Sequence, residues 1–408
     1  MRTFVTEYDL SRSPATIWGL SGYTHVNILV RNHGRPLDIL RVAKNAASPA
    51  LTELDLEREI DSRLGMSLPL RFGYDRLLPP ITMEWPAISV IVCTRDRPYA
   101  LRRCLGALSR LDYDSYEVVV IDNASRTAET LEVVRGTTFR YVCEERQGLD
   151  WARNRGVREA RYDIVAFVDD DAKVDAGWLR GMARGFADPD AMAVTGLVLP
   201  AELMTRAQHI IEGYGNGMSK GFKPKRFAAS DMSETDRIEV HRIGVGTNMA
   251  YRRIIFDKIG VFDTALDVGT PSGGAGDLDM FHRVLLAGGV IRYEPEALVW
   301  HQHRRNMEGL RRQLYLNGCG FGVFLIKRWS EADGRRGTIV RYAIGRWGRW
   351  LVGRLVLKRY RHGHNLPWRL MWAELRGALH APWAYLATYR HDRRTREKFG
   401  IDGTGNDR

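Results

Sequence analysis

The sequence predicts an α/β domain with a mainly parallel sheet, preceded by a small α+β region and followed by a basic helical region. Two observations favour this fold class. Short apolar, β-branched runs alternate with helical patterns between residues 86 and 170, which is typical of parallel strands joined by crossover helices. The charge is also uneven, because residues 301–408 contain 23 Lys/Arg and 8 Asp/Glu, a formal charge of +15, whereas residues 1–300 carry −3. We therefore divide the 408 residues into three regions, 1–85, 86–303 and 304–408.

The first region is predicted to be a hairpin followed by a charged helix that Gly65 closes. Prolines between residues 78 and 86 mark a linker to the next region. Such a hairpin could pack on the central sheet, form an oligomer contact or bind a partner, and the sequence leaves these alternatives open. The predicted elements are a strand at 25–30, a turn at 32–36, a strand at 37–42 and a helix at 50–64.

The central region carries the alternation of strands and helices. Its first run, residues 88–93, is short, mainly apolar and rich in β-branched residues, which is the pattern of a strand buried on both faces. Ligands of such sheets bind at the carboxyl ends of the strands, so we expect the polar residues that follow the strands to form a site. The predicted strands are 88–93, 117–121, 139–142 and 163–168, and the predicted helices are 98–111, 128–135 and 149–160.

Acidic residues follow two of these strands. Asp169, Asp170 and Asp171 are consecutive, and burying three unpaired carboxylates is costly. A divalent cation would remove that conflict, and Mg²⁺ and Mn²⁺ prefer carboxylate oxygens and often bridge to phosphates. A solvated acidic turn or a helix cap is the alternative. Asp122 could accept hydrogen bonds from a uracil-like base or a ribose, or it could be a turn residue.

Three further candidates lie along the chain. Arg153 belongs to a basic stretch that could offset the charge of a pyrophosphate or form an exposed helix. A Gly-rich loop at 269–279 delivers Asp277, which could be a helix N-cap or a general base. His301 ends a predicted strand, where it could be structural or a third metal ligand.

Together these motifs resemble the family 2 glycosyltransferases, which are inverting enzymes with the GT-A fold. The resemblance covers roughly residues 86–303, about half the chain. Each stretch alone is weak evidence for this family, whereas the order and spacing of all five in one chain are specific to it. The matching stretches are residues 89–95, 119–125, 152–156, 167–171 and 246–253.

The resemblance implies an enzyme that moves a sugar from a UDP-, GDP- or dTDP-linked donor to a hydroxyl of a glycan, a lipid-linked acceptor or a small glycosylated acceptor, with Mn²⁺ or Mg²⁺. Asp277 matches the catalytic base. The family usually has Glu-Asp where this chain has Gly276-Asp277, so the glutamate is lost and the aspartate is kept. The implied donor contacts are Thr94, Arg95, Asp122, Arg153, Asp169 and Asp170, and the implied metal ligands are Asp171 and His301.

Two other functions compete with this interpretation. A nucleotidyltransferase also uses acidic metal sites, but it usually has a Gly-rich, basic phosphate loop after the first strand, where this chain has residues 94–98. A catalytically silent binding or scaffolding protein on the same fold is the other alternative. The missing glutamate before Asp277 is its support.

The C-terminal region is basic and contains six of the eleven tryptophans. Residues 342–361 interleave Trp347, Trp350, Leu351 and Leu355 with arginine and lysine, which is typical of a helix that lies on an anionic membrane surface. Such a helix would suit a lipid-linked acceptor. The alternative is a helical subdomain with its tryptophans packed inside. Because no nucleic-acid-binding motif appears, we expect no nucleic-acid partner.

The sequence predicts a cytoplasmic protein, with any membrane contact peripheral and at the inner face. The N-terminus lacks the apolar segment of a signal peptide, and no uncharged run in the C-terminal region is long enough to span a bilayer. The cysteines show no metal-ligand spacing, so we expect reduced core thiols. They are Cys93, Cys104, Cys143 and Cys319.

Overall fold

The computed structural model describes residues 2–12, 16–65, 85–214, 217–332, 336–356 and 366–401. The strands are β1 (Thr3–Asp9), β2 (Ile17–Trp18), β3 (His25–Asn32), β4 (Arg35–Ala43), β5 (Ala50–Leu51), β6 (Ile88–Thr94), β7 (Tyr116–Asn123), β8 (Arg140–Glu144), β9 (Ile164–Asp169), β10 (Ala172–Val174), β11 (Ala191–Pro200), β12 (Lys225–Phe227), β13 (Asn248–Arg252) and β14 (Val290–His301). The helices are α1 (Glu53–Leu64), α2 (Pro98–Leu108), α3 (Glu129–Arg135), α4 (Leu149–Glu159), α5 (Trp178–Gly185), α6 (Arg206–Gly213), α7 (Ile254–Ile259), α8 (Gly276–Leu286), α9 (Met307–Glu331), α10 (Arg336–Arg341), a π-helical segment (Tyr342–Gly348), α11 (Arg349–Val356) and α12 (Trp368–Lys398).

The central sheet has the strand order β10-β14-β11-β13-β9-β6-β7-β8, with β12 paired to β14. Strands β9, β6, β7 and β8 are adjacent and parallel, as the alternation of strands and helices predicts. Strand β13 is antiparallel to both of its neighbours, and β10 and β12 are antiparallel to β14, so the whole sheet is mixed. The predicted α/β class with a parallel core is confirmed.

The middle residues of β6 are apolar because helices cover both faces of the sheet there. Val90 and Val92 pack on one side among residues of α2 and α5. Ile91, between them, packs on the other side among residues of α4, α7 and α8. All three side chains are fully buried. A strand buried on both faces therefore shows no alternation of apolar and polar residues.

The N-terminal region contains the predicted hairpin, in which β3 and β4 are joined by a two-residue turn at His33 and Gly34. Both turn residues have positive φ, 49° and 79°, which matches the right-handed twist of the flanking strands. Helix α1 begins at Glu53 rather than at residue 50, because Ala50–Leu51 pairs with β2 and Thr52 caps the helix. Strand β1, which the sequence analysis missed, pairs parallel with β3.

Of the three alternatives for the hairpin, the structure shows packing on the central sheet. Leu29 of β3 lies in a cluster with Leu197, Leu199 and Tyr293 of the central region. Arg31 adds an ion pair to Asp175, with 2.5 Å between the guanidinium and the carboxylate. The Pro-rich linker at residues 78–80 lies outside the described residues.

The C-terminal region is helical, as predicted, and its two long helices, α9 and α12, pack closely. A Cβ at Gly318 would overlap the carbonyl of Glu374, and one at Gly377 would overlap the carbonyl of Tyr315. Glycine at both positions therefore lets the two backbones approach. Trp347, for which the sequence left open a membrane-facing helix or a packed helical subdomain, packs edge-to-face on Phe321 of α9, with ring centroids 5.1 Å apart.

Two further expectations concern the cysteines and the helices that could cross a membrane. Cys104 and Cys319 are buried free thiols, and Cys93 is half-buried. The prediction of a core thiol is wrong for Cys143, which is exposed because β8 is the edge strand of the sheet. Across the described residues, no helix has the length and apolar character needed to cross a bilayer.

Candidate active site

The candidate site lies at the carboxyl ends of the parallel strands. Strand β9 ends at Asp169, where its register pairs it with β6. The turn that follows carries Asp170 and Asp171 into the short strand β10, which pairs with the end of β14 and so brings His301 alongside. Strand pairing therefore places an acidic turn and a histidine from 130 residues later on one edge of the sheet.

Asp169, Asp171 and His301 form a three-residue group whose potential ligand atoms all lie within 4.8 Å of one another. His301 Nε2 is 3.3 Å from Asp171 Oδ1. Burial raises the pKa of Asp171, but the hydrogen bond and charge of His301 and the charge of Arg97 outweigh it and lower that pKa to about 2. Burial lowers the pKa of His301, but the hydrogen bond and charge of Asp171 raise it overall.

These residues fit a divalent cation. Burial and the charge of Asp171 raise the pKa of Asp169, although the charges of Arg153 and His301 oppose that shift. The Nδ1 atom of His301 is buried and has no hydrogen-bond partner within the described part of the chain. Two carboxylates and an imidazole are a donor set that suits Mn²⁺ or Mg²⁺.

Asp170 points to other partners. Its two oxygens accept hydrogen bonds from Thr94 Oγ1 at 2.7 Å and from Arg97 Nη1 at 2.9 Å. Burial raises the pKa of Asp170 to about 6, and the charge of Arg97 opposes that shift. The carboxylate of Asp170 thus joins the acidic turn to β6, and a donor contact of Asp170 stays a prediction. Arg97, which the sequence analysis missed, also reaches Asp171 at 3.1 Å.

The predicted nucleoside contacts lie beside this turn at the ends of β6 and β7. Asp122 is buried and accepts hydrogen bonds from Ser125 Oγ and from Tyr141 Oη, the latter at 2.8 Å. Arg95 is half-buried, 3.9 Å from Asp96. Ser125 Oγ also accepts a hydrogen bond from the Asp96 amide, so the loops after the two strands are tied together.

Asp277 reaches the site from the first turn of α8. The N-cap of that helix is Ala275, so Asp277 does not cap it. Its Oδ2 accepts a hydrogen bond from the Gly246 amide at 2.8 Å, and its Oδ1 accepts one from the amide of Leu278 at 2.9 Å. The carboxylate is therefore fixed in orientation and remains half-buried.

Arg153 lies close to Asp277 and to the acidic turn. The guanidinium is buried and pairs with Asp150 at 3.0 Å. Burial lowers its pKa, but the charges of Asp150, Asp169 and Asp277 raise it overall, so Arg153 stays cationic. It thus supplies fixed positive charge next to both the metal group and the candidate base.

The missing glutamate before Asp277 has a steric explanation. A Cβ at Gly276 would overlap Oδ2 of Asp150, a buried carboxylate on α4. That oxygen has no hydrogen-bond partner among the residues described. Burial raises the pKa of Asp150 to about 7, although the charge of Arg153 opposes the shift. The space next to position 276 is thus already filled by an acidic side chain, which would have to move for any residue larger than glycine.

We predict that Gly276→Ala destabilises the protein. Asp150 would have to move away from Arg153, and overpacking of this kind costs about 1–3 kcal/mol. Gly106→Ala is the matched control, because Gly106 is also helical but a Cβ there would lie 3.9 Å from its nearest neighbour. That control should raise stability by about 0.5–1 kcal/mol through helix propensity. Chemical denaturation measures the free energy of unfolding of both variants. Equal free energies of unfolding for the two variants would refute the steric explanation.

A large groove opens beside Asp277, with a volume of about 1930 Å³. Its walls come from α6, the Gly-rich loop before α8, the helix α9, and the segments that contain Trp347 and Trp350. Several of its charges are already neutralised, since Arg354 pairs with Glu374 at 2.6 Å and Arg346 pairs with Glu239 at 2.9 Å. Much of the groove is therefore lined by aromatic and aliphatic side chains and by paired charges.

Lys220 also lines this groove, and the sequence analysis did not identify it. Burial lowers its pKa to about 8, although the charge of Asp277 acts in the opposite direction. A lysine in the loop between α6 and β12 gives no sequence signal of its own. Only its position near Asp277, in the wall of the groove, marks it.

Comparison with known proteins identifies proteins that are similar to this chain. Residues 89–260 match the family model described as "Glycosyl transferase family 2". AglE, a glycosyltransferase of Haloferax volcanii, is 25% identical over 258 residues, which cover 61% of this chain and 78% of AglE. A pre-mycofactocin glycosyltransferase of Mycobacterium tuberculosis is 26% identical over 296 residues, 70% of this chain and 57% of that protein. EpsH of Bacillus subtilis is 25% identical over 174 residues, so the match spans about half (51%) of that relative and 38% of this chain.

Solved structures include similar chains. The mannosyltransferase PcManGT from Pyrobaculum calidifontis, in complex with GDP-Man and Mn²⁺, is 18% identical, with a TM-score of 0.44. The match covers 84% of this chain and 85% of that chain.

Proposed function

The chain carries a glycosyltransferase family 2 domain over residues 89–260, and we propose on that premise that it transfers a sugar from a nucleotide-diphosphate sugar to an acceptor hydroxyl with inversion. The observation that carries this proposal is the position of Asp277. Its carboxylate is held by the Gly246 amide between a buried arginine and the groove. A base at that position borders both the donor side and the acceptor side of the site.

In the proposed reaction, Asp277 accepts the proton of the acceptor hydroxyl while the oxygen attacks the anomeric carbon. A new C–O bond forms there as the bond to the diphosphate breaks, and the electron pair leaves with the nucleoside diphosphate. Asp169, Asp171 and His301 would hold a divalent cation, and its charge would stabilise the diphosphate leaving group. Arg153 contributes a second, fixed positive charge on the same side.

The steric account of Gly276 weakens the catalytically silent alternative. That alternative depended on the lost glutamate, and a neighbouring carboxylate, Asp150, fills the space instead. The residue that would act as the base is retained at position 277.

The groove suggests the acceptor class. It is much larger than one sugar needs, and aromatic residues such as Phe321, Trp347 and Trp350 line it. Among glycan, lipid-linked and small glycosylated acceptors, these walls favour an acceptor that carries an apolar body next to its hydroxyl. Peripheral attachment at the inner face of a membrane would present a lipid-linked acceptor to such a groove.

We expect one nucleotide sugar to raise the melting temperature of the purified protein only when Mn²⁺ or Mg²⁺ is present. A ligand that binds the native state adds about 2.7 kcal/mol of stability at a concentration of ~100 Kd. The screen compares UDP-, GDP- and dTDP-sugars with each metal, and ADP with each metal serves as the control. If no donor shifts the melting temperature under any of these conditions, the proposed donor site is wrong.

A further inference from the structure

The last long helix, α12, exposes a continuous apolar stripe. Its five large apolar members are all between 45% and 66% exposed. Their spacing of four, seven, four and three residues keeps them on one side of a helix with 3.6 residues per turn. The stripe spans about 27 Å, at 1.5 Å per residue. Its members are Trp368, Trp372, Leu379, Trp383 and Leu386.

The opposite side of α12 is the one that packs on the protein. Leu370, Gly377, Ala381 and Ala384 are buried there, and α9 covers them. The exposed stripe is therefore separate from the face through which α12 packs on α9. An ordinary surface helix carries charged and polar residues on its solvent side. On α12 the solvent side has three tryptophans instead.

Basic residues accompany the stripe. Arg376 and Arg390 lie on the same exposed side, and Arg394 continues that side toward the end of the helix. No ion pair forms for these three arginines in the described part of the structure, unlike Arg396, which pairs with Asp392 at 2.7 Å. The acidic Glu374 is on the buried side and is neutralised by Arg354. The exposed side thus presents tryptophan, leucine and unneutralised positive charge together.

This combination fits a lipid surface better than a protein surface. Tryptophan places an apolar ring and a polar N–H at the level of lipid headgroups, and arginine pairs with anionic headgroups. We propose that the Trp368–Leu386 stripe of α12 docks the protein on an anionic membrane surface. The proposal does not depend on the sugar-transfer activity.

Docking through this stripe would also orient the groove. Met371 and Glu374 line the groove from the other side of the same helix, within one turn of Trp372. The groove would then lie about one helix diameter, ~10 Å, from the headgroups. A lipid-linked acceptor could reach it without leaving the membrane.

The test is co-sedimentation of the full chain with vesicles of phosphatidylcholine alone or of phosphatidylcholine with phosphatidylglycerol. We expect binding to the anionic vesicles, weaker binding at high salt, and little binding to the neutral ones. The double variant Leu379→Glu/Leu386→Glu should bind anionic vesicles at least ~10-fold more weakly, because it removes two apolar contacts and adds repelling charges.

Ile254→Glu is the matched control, since Ile254 is 66% exposed on a different helix, α7, and its substitution should leave vesicle binding unchanged. Both variants alter exposed side chains, and thermal unfolding confirms that they remain folded. Equal vesicle binding by wild type and the double variant would overturn the proposal. So would a wild-type dimer in light scattering that the double variant abolishes without any vesicle binding, because the stripe would then bind a second copy.

Discussion

Asp277→Asn is expected to lower the rate of sugar transfer by about 10²–10⁴-fold, the usual contribution of a general base. Asparagine keeps the size of the side chain, and its carbonyl oxygen can still accept the hydrogen bond from the Gly246 amide, whereas the one from the Leu278 amide is lost. The variant therefore loses the proton acceptor but keeps the local structure. Release of nucleoside diphosphate from the donor, with and without acceptor, measures the effect.

The donor affinity of this variant should remain close to that of the wild type, because Asp277 is not part of the metal group. Asp257→Asn is the control for the substitution itself, since Asp257 is an exposed carboxylate on α7. It should transfer at the wild-type rate. Transfer by Asp277→Asn within a few-fold of that rate would remove Asp277 as the base.

The parallel core of the fold could be predicted because its signals are local. Each strand from β6 to β9 contains a short apolar run, and each following helix has its own pattern, so bounds such as those of α3 and α4 agree with the prediction to within one residue. Strand β1 was missed because its pairing with β3 joins distant segments. Its sequence alternates too weakly to indicate a strand alone, since Glu7 and Asp9 interrupt it.

The candidate site could be located from the sequence, but its internal contacts could not. Residues that follow a strand are predictably at its end, which is why Asp169, Asp171 and His301 come together. The direction in which a side chain points does not follow from its position after a strand. Asp170 turns to Thr94 and Arg97, and Asp150 fills the space beside Gly276, through contacts between residues more than 70 positions apart.

The tryptophans of the C-terminal region illustrate the same limit. Aromatic and basic residues interleave both in residues 342–361 and in α12, so composition does not distinguish the two segments. Tertiary packing distinguishes the two segments. Trp347 and Trp350 turn inward to the groove, whereas Trp368, Trp372 and Trp383 turn outward.

Asp171→Ala should weaken metal-dependent donor binding by at least ~10²-fold, because loss of even an outer-shell partner costs about 10–100-fold in metal affinity. The variant should fold, since Arg97 keeps its ion pair with Asp170 at 2.9 Å. A chelator should lower donor binding by the wild type to the same level. Calorimetric titration of the donor with and without Mn²⁺ measures both effects.

His301→Gln should weaken donor binding in the same metal-dependent way, and a nearby histidine supplies its control. The ring of His303 is 5.7 Å from that of His301, but its Nε2 is bonded to Glu212 at 3.0 Å rather than to the acidic turn. His303→Gln should therefore leave the metal dependence intact. If Asp171→Ala and His301→Gln bind the donor with Mn²⁺ as tightly as His303→Gln does, the three-residue group does not hold the metal. Arg153 would then be the main positive charge left to neutralise the donor's diphosphate.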